Sequence, residues 1–597
     1  PGITNDAGKA TLSFIARASG NTGSVTMSVD NNQLISGTFY RTSDEYVVAT
    51  EVYETVNWMA DKNEKVSIDI QYNTTGHKNV RLNFFRLQMK RQLKAYDAYT
   101  FFRSLAARGN ASRFIIQGAD ANTLVFDVTD GINPQQMETT LSGTELSFTI
   151  PASMDLREFV VVKPSQIKAP ETVGEVANQN LHALAQQDMV IIAQPGLAAQ
   201  AERLAEAHRT KDNLTVQVVA PETIYNEFSS GTPDATAYRR FMKMFYDRRT
   251  SEADAPKYLL LFGDGSYDNR QLTSAWKSVD MSNMLLTYQT VNSLNSYSYV
   301  VDDYFAFLED ANKPDTSDNL ANLSSKKMSI GVGRFPVRTV SEATIAVDKV
   351  ISYMDNDGAG SWKNNVCFIA DDGSNADSFD VRHQNDANKI ADMIEDTNPS
   401  YVVSKVFFDA YKKSSSGGQA SYPDVNTAIQ KKLKDGLYLL NYTGHGGTTA
   451  LSDEKVITQN DIMQADYSSL PIWITATCDF CPFDASATSA GESVFLNKKS
   501  GGIALFTTTR VAYTGSNNDI NTQLIRSLFE NRGTSETLGG VLKDTKNALG
   551  SSSRKLGFSL IGDPALRLAY PKYQMAVSTV NGKDVSEGTI TLRALDK

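Results

Sequence analysis

Residues 437–484, LYLLNYTGHGGTTALSDEKVITQNDIMQADYSSLPIWITATCDFCPFD, decide the fold of this chain. Two apolar runs within them, at 437–440 and 471–474, have the length and composition of buried strands. A polar residue with catalytic capacity follows each run: His445 follows the first and Cys478 the second. Because ligands bind at the carboxyl ends of strands in an open α/β sheet, we expect the imidazole and the thiol to lie together at one edge.

This pair of residues indicates acyl transfer by a cysteine. A thiolate is a strong nucleophile, and a neighbouring imidazole can take the thiol proton. His445 stands in the run Gly444-His445-Gly446-Gly447, where glycine leaves backbone N–H groups open to a ligand. We therefore predict catalytic roles for Cys478 and His445, and an oxyanion hole formed by the N–H groups of Gly446 and Cys478. The competing interpretation is that Cys478 is a buried, inert thiol.

The cysteines also allow two other interpretations. Cys478 and Cys481 form a C-x-x-C motif, which is also typical of thiol redox proteins. A zinc site needs four ligands, and the chain has three cysteines and five scattered histidines. We therefore favour nucleophilic catalysis over both redox exchange and zinc binding. We expect no metal at the site.

Composition excludes several classes of protein. The 597 residues carry a net charge of −10, whereas a nucleic-acid-binding protein usually presents a basic patch. No run approaches the roughly 18 apolar residues of a membrane helix. The chain begins at Pro1 without a methionine or a signal-peptide pattern, so we expect it to be processed or partial.

The hydrophobic pattern divides the chain into four regions. Short alternating runs predict an all-β domain over residues 1–165. Strands then alternate with helices, which is typical of a mostly parallel sheet. This pattern restarts once, so we predict one α/β subdomain at 175–358 and a second, carrying the catalytic site, at 359–572. Alternation resumes over 573–597, which we interpret as the start of an Ig-like β domain.

Charged residues outside the pair give weaker signals. Asp372 follows a predicted strand in the same subdomain as Cys478, so it could orient the His445 imidazole as a third catalytic group. The acidic loop at 309–318 could bind calcium but lacks the EF-hand spacing. The basic run at 86–94 is interpreted as a solvated edge strand, or as a contact for an acidic partner.

Four motifs together resemble one family, the gingipain-type cysteine peptidases of family C25, which have a caspase-like fold. They are Asn441-Tyr442-Thr443-Gly444-His445-Gly446, Ala476-Thr477-Cys478, Gly333-Arg334-Phe335 and Gly562-Asp563-Pro564. The resemblance covers about residues 175–572. It implies that Cys478 is the nucleophile, that His445 is the general base, and that Asp372 orients the imidazole where gingipains have a glutamate. It also places Asp380 near the pocket that binds the substrate side chain. The resemblance implies no required cofactor. It implies that structural calcium is possible, but it assigns no ligands to that ion.

Within the family, the residues after Cys478 and the N-terminal β domain most resemble the sortase of the type IX secretion system. The resemblance implies an enzyme that cleaves the C-terminal signal domain from secreted cargo through a thioester and transfers the cargo to an anionic lipopolysaccharide. It also implies a position at the cell surface, attached to the bacterial outer membrane, and an outer-membrane barrel partner. Two alternatives are an endopeptidase that only hydrolyses peptides and a non-catalytic scaffold on the same fold.

Overall fold

The computed structural model describes most of the chain in two compact units, Pro1–Asn178 and Gln179–Lys597. The described residues are 2–17, 22–41, 49–60, 66–73, 79–290, 298–309, 320–355, 360–373, 381–416, 419–530, 537–571, 579–580 and 583–584.

The first unit is built from antiparallel strands. They are β1 (Ala7–Arg17), β2 (Gly23–Val29), β3 (Asn32–Phe39), β4 (Thr50–Met59), β5 (Ile68–Asn73), β6 (Asn79–Gln88), β7 (Tyr99–Arg103), β8 (Ser112–Gln117), β9 (Leu124–Asp127), β10 (Gln135–Gln136), β11 (Thr140–Ser142), β12 (Glu145–Ile150) and β13 (Glu158–Val162). The strands form four small sheets, with the orders β4-β1-β6, β3-β2-β5, β10-β9-β13-β7 and β11-β12-β8.

Two separate apolar clusters lie inside this first unit. Leu12 and Met27 belong to the first cluster. The second centres on the rings of Phe114, Phe148 and Phe159, whose centroids lie 5.1–5.4 Å apart. The predicted all-β character of this region is therefore confirmed, and its described residues form two separate cores.

The second unit alternates strands with helices. Its strands are β14 (Met189–Ala193), β15 (Val216–Val219), β16 (Tyr258–Phe262), β17 (Gly331–Phe335), β18 (Asn365–Ala370), β19 (Val402–Phe407), β20 (Ser414–Ser416), β21 (Gln419–Ser421), β22 (Leu439–Thr443), β23 (Gly446–Gly447), β24 (Ala450–Leu451), β25 (Ile457–Thr458), β26 (Ile472–Ala476), β27 (Ala504–Thr508), β28 (Phe558–Ile561), β29 (Thr579–Val580) and β30 (Lys583–Asp584). Its helices are α1 (Ala198–Lys211), α2 (Pro221–Phe228), α3 (Ala235–Asp247), α4 (Leu320–Ser325), α5 (Val340–Met354), α6 (Val381–Thr397), α7 (Pro423–Asp435), α8 (Gln459–Gln464), α9 (Ala490–Leu496), α10 (Thr514–Phe529) and α11 (Leu538–Ala548).

Ten of these strands form one sheet in the order β15-β14-β16-β17-β28-β27-β26-β22-β18-β19. Neighbours are parallel throughout, except that β28 is antiparallel to β27. The sheet therefore has two parallel halves of five strands that run in opposite directions. All residues of β22 and β26 are buried, as expected for strands covered on both faces. The boundary between the two predicted α/β subdomains stays a prediction.

The starts of two helices, α5 and α3, can be compared with what the sequence predicts. The spacing of Thr339 and Glu342 predicts a capping box. The structure confirms it at the start of α5, with reciprocal bonds between side chains and backbone. The Thr232-Pro233 pair predicts a helix that starts with a cap and a proline in its first turn, but α3 begins a few residues later. The Asp234 carboxylate accepts a bond from the N–H of Thr236 at 2.8 Å, so the helix begins after it.

In the described parts of the chain, no helix combines the length and the apolar character that crossing a membrane requires. The predicted Ig-like start at 573–597 falls largely outside the described residues, which include only the short antiparallel pair β29 and β30 there.

A buried histidine ties α1 to the segment that follows β28. His208 Nδ1 lies 2.7 Å from Asp212 Oδ2, and its Nε2 lies 2.7 Å from Asp563 Oδ2. Burial disfavours the charged imidazole, but the two carboxylates outweigh this effect and raise the pKa of His208 to about 10. The aspartate of the Gly562-Asp563-Pro564 motif thus has a structural partner in α1.

Replacing His208 by glutamine is expected to remove a pH-dependent part of the stability. The pKa of His208 lies above its ordinary value of 6.5, so the ionic stabilisation is complete below about pH 6.5 and is lost as the pH rises through about 10. The wild-type free energy of unfolding should therefore fall by roughly 3–5 kcal/mol between pH 7 and 10, and the variant should lack most of this fall. Urea unfolding across this range measures it. His182→Gln is the control, because that imidazole is 57% exposed beside Glu227. Equal pH slopes in wild type and His208→Gln would refute the assignment.

Candidate active site

Three neighbouring strands end in one row of the sheet. Thr443 of β22 is opposite Ala476 of β26, and it is also opposite Ala370 of β18. His445 and Cys478 each lie two residues beyond this row, and so does the second of the two aspartates that follow β18. The strands that carry the predicted base and nucleophile are thus confirmed as neighbours.

The backbone of His445 is held on both sides. Its N–H donates to Asp371 Oδ2 at 2.9 Å, and its carbonyl accepts bonds from the Tyr442 hydroxyl at 2.6 Å and from the Ser452 N–H at 2.8 Å. Burial raises the pKa of Asp371 to about 7, against the lowering effect of the His445 N–H. The loop that carries the base is therefore fixed by its main chain.

The imidazole of His445 is exposed, and one of its contacts is a second histidine. The ring of His383, in the first turn of α6, lies 5.2 Å from the His445 ring at 79°. The next residue, Gln384, donates from Nε2 to the carbonyl of Asp371 at 3.2 Å. The start of α6 thus contacts both the base and the aspartate segment that holds its loop.

Two glycines beside His445 are required by close packing. A Cβ at Gly444 would lie 2.4 Å from the Cβ of Asp371. A Cβ at Gly446 would lie 2.5 Å from Oγ1 of Thr477, the residue before Cys478. The glycines therefore let the loop after β22 press against the end of β18 and the end of β26.

Cys478 is half-buried against the backbone of Ala512. Its thiol donates to the Ala512 carbonyl at 3.2 Å, and the Ala512 N–H lies 3.4 Å from the sulfur. Burial raises the pKa of the Cys478 thiol, although the Ala512 backbone bond lowers it. The thiol of the free protein is therefore held in its neutral form, so a base is needed to make it nucleophilic.

The loop that follows Cys478 is held by charged residues. Asp479 adopts a left-handed backbone conformation, with φ of 43°, and its N–H donates to the Arg510 carbonyl at 3.2 Å. The Arg510 guanidinium donates to both oxygens of Asp484, at 2.7 and 2.6 Å. Strained backbone conformations of this kind concentrate at functional sites. The sequence reasoning missed Arg510, because one arginine among many carries no positional signal.

The carboxylate of Asp372, the predicted orienting acid, accepts bonds from Lys413 Nζ at 2.6 Å and from the Tyr422 hydroxyl at 2.8 Å. Asp371, Asp372 and Glu454 bring carboxylate oxygens within 4.8 Å of one another. Lys413 Nζ also lies 2.9 Å from Glu454. One lysine ammonium offsets at most one of these three carboxylates, so structural calcium stays a prediction here. A role for Asp372 in orienting the imidazole stays a prediction.

The remaining site predictions meet different outcomes. Asp380, predicted to bind the substrate side chain, lies outside the described residues. Gly446 lies in β23 opposite Leu451, beside the segment that carries Cys478.

Cys481 is fully buried, and burial raises its pKa well above the ordinary value. Both cysteines of the C-x-x-C motif are free thiols, and a buried thiol of this kind does not favour redox exchange.

Comparisons with known proteins agree with this geometry. A sequence model described as peptidase family C25 matches residues 182–569. Among solved structures, the chain is similar to dimeric latent PorU from Porphyromonas gingivalis, with a TM-score of 0.64 and 28% identity over 98% of this chain and 50% of that chain. The chain therefore spans about half the length of that PorU structure. A search of curated proteins gave no match.

Two gingipain structures are also similar. One is the complex of pro- and mature domains of RgpB from Porphyromonas gingivalis, with a TM-score of 0.48 and 18% identity over 64% of this chain and 79% of that chain. The other is the Arg-specific cysteine proteinase gingipain R, with a TM-score of 0.47 and 17% identity over 66% of this chain and 80% of that chain.

Proposed function

We propose that this chain, which belongs to peptidase family C25, is a cysteine peptidase in which Cys478 is the nucleophile and His445 the general base. Membership of the family implies cysteine peptidase activity. The observation that carries the residue assignment is the pairing of β22 with β26, which brings both residues to the same row beyond the sheet. The close contact of Gly446 with Thr477 supports it, since the two loops touch beside Cys478.

The proposed reaction begins from the neutral thiol. His445 takes the thiol proton as Cys478 Sγ attacks the peptide carbonyl carbon, so an S–C bond forms and the carbonyl oxygen becomes an oxyanion. Backbone N–H groups of Gly446 and Cys478 stabilise that oxyanion. The C–N bond then breaks, and His445 returns the proton to the leaving amine. The product is a thioester between Cys478 and the amino-terminal part of the substrate.

The acidic residues take supporting roles in this proposal. Asp371 fixes the loop of the base through the His445 N–H at 2.9 Å. Asp372, bound to Lys413 and Tyr422, fixes the chain beside it and is retained as the acid that orients the ring. Asp380 is proposed to contact the substrate side chain that precedes the cleaved bond.

The proposed substrate is secreted cargo with a C-terminal signal domain, and the proposed acceptor is an amine on an anionic lipopolysaccharide. Transfer to that amine makes the enzyme a sortase of the type IX secretion system, attached to the outer membrane at the cell surface beside a barrel partner. Similarity to PorU over 98% of this chain supports the assignment. The thioester is the branch point, because attack by water instead gives plain hydrolysis.

A peptide assay with an added amine tests this proposal. The 597-residue chain is incubated with peptides that span a cargo junction, with and without glycylglycine, and products are identified by mass spectrometry. The expected product with the amine is a peptide joined to glycylglycine, formed by wild type and absent with Cys478→Ala. Hydrolysis alone at every amine concentration would indicate an endopeptidase. No product and no labelling by a thiol-reactive peptide would indicate a non-catalytic scaffold.

A further inference from the structure

His383 occupies an unusual position on α6. The buried face of this helix includes Ala387, Ile390, Ala391 and Ile394, which recur at helical spacing and face the core. His383 begins that face and is only 4% exposed. An aliphatic residue would bury more apolar surface here, so packing alone gives no reason for a histidine.

His383 contacts the ring of His445. The two imidazole rings meet nearly at right angles, at 79°, with centroids 5.2 Å apart. Edge-to-face contacts of this kind are favourable and restrict how a ring can turn. His383 is buried on a helix, whereas His445 is exposed on a loop, so His383 is the rigid partner.

Fixing the His445 main chain does not by itself fix the ring. The His445 N–H donates to Asp371, and the His445 carbonyl accepts from Tyr442 and Ser452, so these three bonds all involve the main chain. The side-chain torsions must therefore be set by what the ring contacts. A general base works only when the correct nitrogen faces the proton it takes, and small misplacements reduce rates strongly.

We propose that His383 is a positioning residue that holds the His445 imidazole in the orientation needed to take the Cys478 proton. This inference rests on the proposed function, since it assigns His383 to the same site. The same turn of α6 also holds the segment after β18, through the bond from Gln384 to the Asp371 carbonyl. One helix terminus thereby aligns the loop of the base and its ring.

Two substitutions separate a positioning role from simple packing. His383→Leu keeps a side chain of similar size without a ring, and His383→Phe restores an aromatic ring. Rates are expressed per active site, counted by labelling with a thiol-reactive peptide. We expect His383→Leu to lower kcat about tenfold to hundredfold with KM within about twofold, and His383→Phe to recover most of the loss. An unchanged kcat in His383→Leu, or an equal loss in both variants, would overturn the proposal.

A readout independent of activity keeps this test separate from that of the proposed function. Histidine labelled with ¹³C at Cε1 gives five ring signals in this chain, and the signal lost in His445→Gln identifies His445. The His445 signal should move toward that of an exposed histidine in His383→Leu and stay displaced in His383→Phe. If the signals behave so but wild type cleaves nothing, the proposed function fails and the contact stands. If wild type cleaves peptides and the position of the His445 signal is the same in both variants as in wild type, only the inference about His383 fails.

Discussion

Replacing Cys478 by alanine is expected to lower kcat for peptide cleavage by about 10⁴-fold or more while the fold is retained. The substitution removes the sulfur that forms the thioester. Another thiol cannot replace it, because Cys367 and Cys481 are fully buried. Initial rates with a cleaved peptide measure the loss, and an unchanged urea midpoint shows that the protein is still folded.

Cys481→Ala is the matched control. It deletes a buried sulfur from the core, which should cost about 1–2 kcal/mol of stability and leave kcat within a few-fold of wild type. A thiol-reactive peptide should label wild type and Cys481→Ala but not Cys478→Ala. Redox exchange through both cysteines would instead make Cys481→Ala inactive. Continued cleavage by Cys478→Ala would show that the nucleophile has been misassigned.

The second large effect is expected at Arg334, where substitution by methionine should lower the free energy of unfolding by about 3–5 kcal/mol. This guanidinium is fully buried and donates to both carboxylate oxygens of Asp302 at 2.8 Å and to the Gly263 carbonyl at 2.9 Å. Without it, Asp302 is left as a buried, unpaired acid. Arg334 also lies 4.8 Å from the ring centroid of Phe483, in the loop after Cys478, so kcat should fall as well.

Two comparisons isolate the buried pair. Arg203→Met removes an arginine whose ion pair with Asp348 is about half exposed, and it should cost less than about 1 kcal/mol. The double variant Arg334→Met, Asp302→Asn should be more stable than Arg334→Met alone, because the orphaned charge is gone. Urea unfolding of all four proteins provides the measurement. A loss below about 1 kcal/mol in Arg334→Met would contradict the expected role.

The central strands and their order could be predicted from sequence. The apolar runs before His445 and Cys478 are nearly continuous, as strands covered on both faces require. Consecutive strands of a parallel sheet are usually neighbours, so the two residues could be expected at one edge. The glycines around His445 were interpreted as leaving backbone N–H groups open to a ligand, and the close contacts at Gly444 and Gly446 add a packing reason that the sequence did not show.

Other features depend on contacts between residues far apart in the chain, which no local sequence pattern predicts. The reversal of direction within the sheet comes from β28 lying antiparallel to β27, and their paired residues Leu505 and Ile561 are far apart in sequence. The thiol contact at Ala512 uses only backbone atoms, which every residue type provides. No role could be predicted for His383 from the sequence, because a single histidine on a helix most often packs in a core.

The adjacent residues Asp371 and Asp372 show most clearly which contacts of the site the sequence does not predict. Neighbouring residues in an extended chain point to opposite sides, so a shift of one position changes every contact. The sequence assigned Asp372 to orienting the His445 ring, and that role stays a prediction. The structure adds that the His445 N–H bonds to Asp371, while Asp372 bonds to Lys413 and Tyr422. Two adjacent acids of equal chemistry gave no basis for separating these roles.

The most direct measurement is a crystal structure of the chain after reaction with a thiol-reactive peptide. The expected result is a covalent bond from Cys478 Sγ to the peptide, with one ring nitrogen of His445 within hydrogen-bonding reach of the reacting centre and the His383 ring packed against it. An unmodified Cys478 enclosed by side chains, with label on another residue and the His445 ring turned away, would contradict catalysis by this pair.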